Sequence, residues 1–146
     1  MQTLRFSGIH SVSYCLSEKT QIDHHGLYNQ PNQVKLLNDT KEIPIVGLAR
    51  METSEDNKSG ETIYTTKLLF DMAISDCAGN IKNEIMTNTC CFVATDQKRV
   101  RRLIGLKEKP HPVVTATCLN EEKPTGKVLY SIEITYINNL PLFILH

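Results

Sequence analysis

Residues 127–137 read KVLYSIEITYI, and residues 64–74 read YTTKLLFDMAI. In the first stretch Val128, Tyr130, Ile132, Ile134 and Tyr136 take every second position, with Leu129, Ser131, Glu133 and Thr135 between them. In the second, Tyr64, Thr66, Leu68, Phe70, Met72 and Ile74 alternate in the same way. A helix scatters residues at this spacing round its circumference, whereas a strand sets them on one face. Two long one-sided strands predict a sheet that covers a core with one face and meets water or a partner with the other.

Outward from these two stretches, extended runs recur at short spacing. Residues 3–6 and 9–15 read as strands parted by Ser7-Gly8, and residues 33–38, 89–95, 113–118 and 141–145 read likewise. Residues 43–51 form an edge strand or a strand beginning, because Pro44 cannot donate to a ladder. The polar text of residues 17–32 is a loop with room for one helical turn, and SEDNKSGE (54–61) is a hairpin loop or flap. Residues 76–80 (DCAGN) and 121–126 (EEKPTG) read as turns, and residues 107–112 (KEKPHP) as a bend. The opening of residues 81–96 fits either a short helix, from the spacing of Ile81, Ile85 and Met86, or extended chain. Residues 89–106 read as a hairpin turned at Gln97-Lys98. Roughly nine strands with Gly, Pro and Asn punctuation predict an all-β fold: residues 1–146 as one antiparallel barrel or sandwich with long hairpins and at most one short helix.

The bulk composition suits this. A chain of 146 residues is one ordinary domain and buries about 68–70% of its unfolded surface. Lys plus Arg and Asp plus Glu are equal at 16 each, so net charge draws the chain neither to nucleic acid nor to an acidic surface. No apolar run approaches the ~20 residues of a membrane span. The opening MQTLRFSGIHSVSYC lacks the apolar core of a secretory signal, which makes the expected location cytoplasmic. The five cysteines (Cys15, Cys77, Cys90, Cys91, Cys118) include no CxxC and read as free thiols used as small core residues. Cys90 and Cys91 are expected to place one thiol in the core and one outside.

Motifs that name a reaction are missing. The sequence holds no GxSxG, no HExxH and no phosphate-cradling loop, and its seven glycines do not cluster. His24 and His25, beside Asp23, read as a polar loop, and His10, His111 and His146 have no zinc spacing to them. The expectation is a protein that is not an enzyme, with no catalytic, cofactor-binding or metal-binding residues. Charge is grouped, however. Lys98, Arg99, Arg101 and Arg102, followed by Lys107 and Lys109, make a basic hairpin over residues 97–109. Strand alternation puts Arg99 and Arg101 on one side and Arg102 with Val100 on the other, and only Phe92 lies near for stacking. A solvated hairpin or an electrostatic contact with a protein neighbour is the first reading, and a small β-barrel module using this hairpin for a ligand or nucleic acid is the second. Glu52, Glu55, Asp56 and Glu61 form an acidic counterpart. Loops of opposite sign in a chain of zero net charge are expected to meet across a subunit boundary.

The run ETIYTTKLLF (61–70), the run RRLIGLKEKPHPVV (101–114) and the closing LPLFIL (140–145) together resemble small β-rich proteins encoded in prophages and phage-like elements of gut bacteria. The resemblance spans roughly residues 43–145. It implies a structural subunit of a phage tail or head–tail connector, incorporated in a phage-like particle. Its implied partners are further copies or neighbouring particle proteins, with no membrane and no catalytic residues to carry over.

Overall fold

The structure, a computed structural model, describes residues 2–23, 33–120 and 128–145. In chain order the strands are β1 (Gln2–Ile9), β2 (Ser11–Leu16), β3 (Ile22–Asp23), β4 (Gln33–Leu36), β5 (Lys41–Ile43), β6 (Ala49–Lys58) and β7 (Glu61–Ala73). The helix α1 (Asp76–Thr87) follows, then β8 (Cys90–Thr95), β9 (Arg101–Ile104), β10 (Val113–Asn120), β11 (Val128–Asn138) and β12 (Phe143–Leu145). They build two sheets with no closed barrel: a five-stranded sheet in the order β1-β6-β7-β11-β10 and a seven-stranded sheet in the order β3-β4-β12-β9-β8-β2-β5. The fold is an all-β sandwich with one α-helix. All pairings are antiparallel except β12 with β4, which is parallel.

The two best-patterned stretches are hydrogen-bonded neighbours. Tyr130 pairs with Met72, Ile132 with Phe70, Ile134 with Leu68 and Tyr136 with Thr66. Leu68, Met72, Ile132 and Ile134 are fully buried, as the alternation predicts. The seven-stranded sheet answers with Val12, Tyr14, Ile43, Phe92, Ala94 and Ile104, and α1 adds Ala78, Ile81 and Ile85 to the same core. Burial of this apolar surface drives the closure of the two sheets.

The chain moves repeatedly between the sheets. Its first crossing is at His10, between β1 and β2, just after a bulge at Gly8 where the β1–β6 register slips by one residue between Phe6 and Ile9. Gly8 has φ +79°, a left-handed conformation suited to glycine, and a Cβ there would lie 2.9 Å from the Gln97 side chain.

Several sequence expectations need correction. The residues read as the flap 54–61 are strand: β6 and β7 stay paired out to Lys58 and Glu61, and the turn is only Ser59-Gly60. Both turn residues have positive φ (52° and 82°), the two-residue geometry whose twist matches the arms of a hairpin. The residues read as the turn 76–80 open α1 instead. Ser75 caps it, its hydroxyl accepting from the Ala78 N–H at 3.1 Å, and Asp76 in the first turn suits the helix dipole. Residues 43–51 are not one strand: β5 ends at Ile43, before Pro44, and β6 begins at Ala49.

The thiols also depart from expectation. Cys90 and Cys91 are both buried, because the seven-stranded sheet is apolar on its outer face too. There Cys15, Cys91, Val93, Leu103 and Leu145 pack with Val34 in a second cluster. Cys77 and Cys118 are exposed rather than core. His24, His25 and the turn 121–126 lie outside the described residues.

Candidate functional site: the cleft beside the charged hairpins

β1, the β6–β7 hairpin and the segment leading into β12 bound an open cleft of about 180 Å³. Leu4, Phe6, Pro141, Leu142 and Ile144 supply apolar walls, while Thr53, Glu55, Tyr64 and Arg102 supply polar groups. Register explains the mixture. Leu4 pairs with Thr53 and Phe6 with Met51, and Glu55 pairs with Tyr64. These positions continue the core-facing row past the point where the second sheet covers it.

Arg102 is fixed from two sides. Its guanidinium lies 4.3 Å from the centre of the Phe6 ring, a cation–π distance. Its Nη1 donates to Asp96 Oδ2 at 2.9 Å, with the two side chains only 17% and 14% exposed. Asp96 organises the turn below. Its Oδ1 accepts from the Lys98 N–H at 2.9 Å and the Val100 N–H at 3.0 Å, and its carbonyl accepts from the Arg99 N–H. Arg99 sits at φ 65° in that turn. Partial burial alone pushes the Asp96 carboxyl up, but the Arg102 hydrogen bond, the backbone N–H groups and the Arg102 charge outweigh it and hold the group below its ordinary value of 3.8.

A stability consequence follows from the sign of that shift. A lowered carboxylate contributes stability that is complete above 3.8 and is lost as pH falls through the lower value of the folded state. Asp96→Asn retains an acceptor for the turn N–H groups but leaves Arg102 without its charge partner. Urea unfolding near neutral pH is expected to show a loss of about 2 kcal/mol. The gap between native and variant protein should close in acid. A gap that persists unchanged at low pH would show that the charge on Asp96 is not what matters.

The charged residues singled out in the sequence are spread over β6, β7, β9 and the turns beside them. Only Arg102 and Glu55 come together, at the cleft of a single chain. Glu52 lies mid-strand, paired across to Arg5 and to Lys67. Asp56 is 3.9 Å from Lys58 in an exposed pair, an arrangement of little energetic weight. Glu61 is at the hairpin tip opposite Lys58. Lys98 and Arg99 are exposed in the turn, Arg101 points to the opposite face of β9 from Arg102, and Lys107 and Lys109 are exposed in the following bend. Sequence reasoning missed Asp96 as the organiser. An Asp at a strand end, two residues before Lys98, was the available signal for a side-chain-capped turn. Leu4, Phe6 and Tyr64 meet from three distant strands and left no local signal.

The cleft offers an apolar side chain a place beside a neutralised guanidinium, and its lining holds no nucleophile–base pair. The buried thiols elsewhere are poorly reactive. Burial first, then the Glu84 charge, push Cys90 up to about 12, and burial raises Cys91. Tyr14 is raised as well, by burial and by donating to Glu84 Oε2 at 2.7 Å, a bond that ties β2 to α1. Among the described residues no cluster of metal-ligating side chains occurs, and no helix is long and apolar enough to cross a membrane. In comparison with known proteins, no family model, no curated sequence and no solved structure matches this chain.

Proposed function

We propose that this chain is a structural or assembly subunit that works through protein–protein contacts. The observation that carries the reading is an apolar group on the outer face of the five-stranded sheet, where water would favour polar residues. Val113 pairs with Thr135, and Ile137 pairs with Thr65. Val113 and Ile137 are therefore diagonal neighbours on that face, and Ile63 is the next outward residue of β7 beside Ile137. Val113 is 64% and Ile137 52% exposed. Grouped apolar exposure beside the rim of a sheet marks a contact surface more often than isolated exposed residues do. The kind of assembly rests on the sequence resemblance to phage-particle proteins and not on the fold. The opposite-sign loops carry less of the reading than the sequence suggested, because Arg102 is already neutralised within its own chain.

Light scattering of the purified chain, alone and mixed with the products of neighbouring genes, tests this. The expected result is a native mass above the 16.5 kDa of one chain, with Ile137→Lys losing at least one such contact while keeping its circular dichroism. A single-chain mass under every condition would overturn the reading.

A further inference from the structure

We infer that β10 is a self-pairing edge: two copies of this chain join antiparallel through β10 and make one continuous sheet across a two-fold axis. This deepens the assembly reading above and rests on it.

The four sheet edges are protected unequally. An edge strand presents unpaired N–H and C=O groups, and proteins blunt such edges with charge, proline, bulges or brevity. β1 carries Arg5 and a bulge at Gly8. β5 has three residues, two of them Lys41 and Glu42, and Pro44 follows. β3 has two residues. β10 has none of these devices, and α1, which lies beside it, makes no backbone hydrogen bond to it among the described residues. Its eight residues read VVTATCLN, without charge, proline or glycine, and its register with β11 is unbroken over all eight. Among the described residues no backbone hydrogen bond reaches its free side. A strand of this length offers a template about 27 Å long.

The chemistry of the strand selects the occupant. A foreign peptide added to a sheet edge is recognised through pockets for its alternate side chains. Four clefts formed by the described residues have no β10 residue in their lining. Thr115 and Thr117, the exposed outward residues either side of its midpoint, are small and matched to each other. Cross-strand Thr pairs are favourable, and an uncharged strand meets no like charge in its own copy. An antiparallel pair with its two-fold axis normal to the sheet keeps the same face of both copies on one side. The axis must then pass through a residue, because a half-residue register would pair inward with outward positions. Centring on Ala116 sets Thr115 opposite Thr117 of the other copy and Val114 opposite Cys118 of the other copy. Both cores then lie on one side of a ten-stranded sheet, and the Val113–Ile137 groups remain open for further neighbours.

Native mass measured at low and at high salt tests the pairing. The expected result is a dimer, twice the mass of the chain, that persists at high salt because main-chain hydrogen bonds are not screened as surface charge pairs are. Thr115→Lys with Thr117→Lys places four lysines together across the axis and is expected to halve the mass, with circular dichroism unchanged. Thr3→Lys, a single lysine on the β1 edge, is expected to leave the dimer intact. Amide exchange over residues 113–120 should slow in the native dimer and speed up in the double variant. An oligomer that ignores the double substitution overturns the β10 edge but leaves assembly standing. A native chain that is monomeric by itself overturns the self-pairing, and one that stays single with its neighbours too overturns both.

Discussion

Phe92→Ala is expected to cost this protein more stability than any other single truncation of the core. Phe92 is fully buried at the centre of the seven-stranded sheet, paired with Tyr14 on one side and Ile104 on the other. All three side chains belong to the cluster shared by both sheets and α1. Removing the ring forfeits its transfer free energy and leaves a cavity that three paired strands are too constrained to close. Such truncations cost about 3–5 kcal/mol. That is a large part of the roughly 5–15 kcal/mol that holds a domain folded. Urea unfolding should show the midpoint falling with its slope unchanged. Phe92→Leu, which keeps most of the volume, should cost under about 1.5 kcal/mol. Equal losses for the two variants would mean that the site does not depend on packed volume.

Gly105→Ala is expected to be nearly as damaging although it adds one methyl group. Gly105 follows β9 with φ +99°, and a Cβ there would sit 2.8 Å from Pro112 Cγ, 2.9 Å from its Cδ and 3.3 Å from Cys91 Sγ. The ring of Pro112 is tied to the backbone and cannot swing aside as a long side chain could. Backbone strain of about 1–3 kcal/mol adds to overpacking of about 1–3 kcal/mol. A loss of about 3 kcal/mol in urea unfolding is the expected result. Gly60→Ala is the informative comparison. Gly60 has φ +82° but nothing within 4 Å of its Cβ position, so it bears the strain without the clash and should lose clearly less. Similar losses at the two sites would remove the clash from the account.

The contrast between these two residues shows what could be read in advance. Phe92 sits in the alternating run CCFVAT, so its presence in a strand was legible. That its neighbour Cys91 would also be buried was not, because the outer face of that sheet gathers its own apolar cluster, with Val34, Leu103 and Leu145 supplied by three other strands of the same sheet. Gly105 carries no pattern at all, and its importance arises only when Pro112 folds back against it. Polar composition misled where strands run past the core. Ser54, Glu55 and Asp56 are strand residues because their backbone is paired on both sides or at the hairpin, not because they bury apolar area. The start of α1 was obscured by Gly79 within its first turn, while the cap at Ser75 was present in the text.

The sequence by itself determined that the chain is built from one-sided strands, and it placed β7, β10 and β11 to within a few residues. Alternation is a local property, and a period of two side chains needs no knowledge of the partner strand. Long-range packing set the rest: β7 lies beside β11, Glu55 and Arg102 share a cleft while the other charged residues lie elsewhere, and β10 lacks the charge and bulge that β1 carries. Those outcomes depend on which distant segments bury each other's apolar faces, and the free energy of that choice belongs to pairs of strands, not to any one stretch of chain.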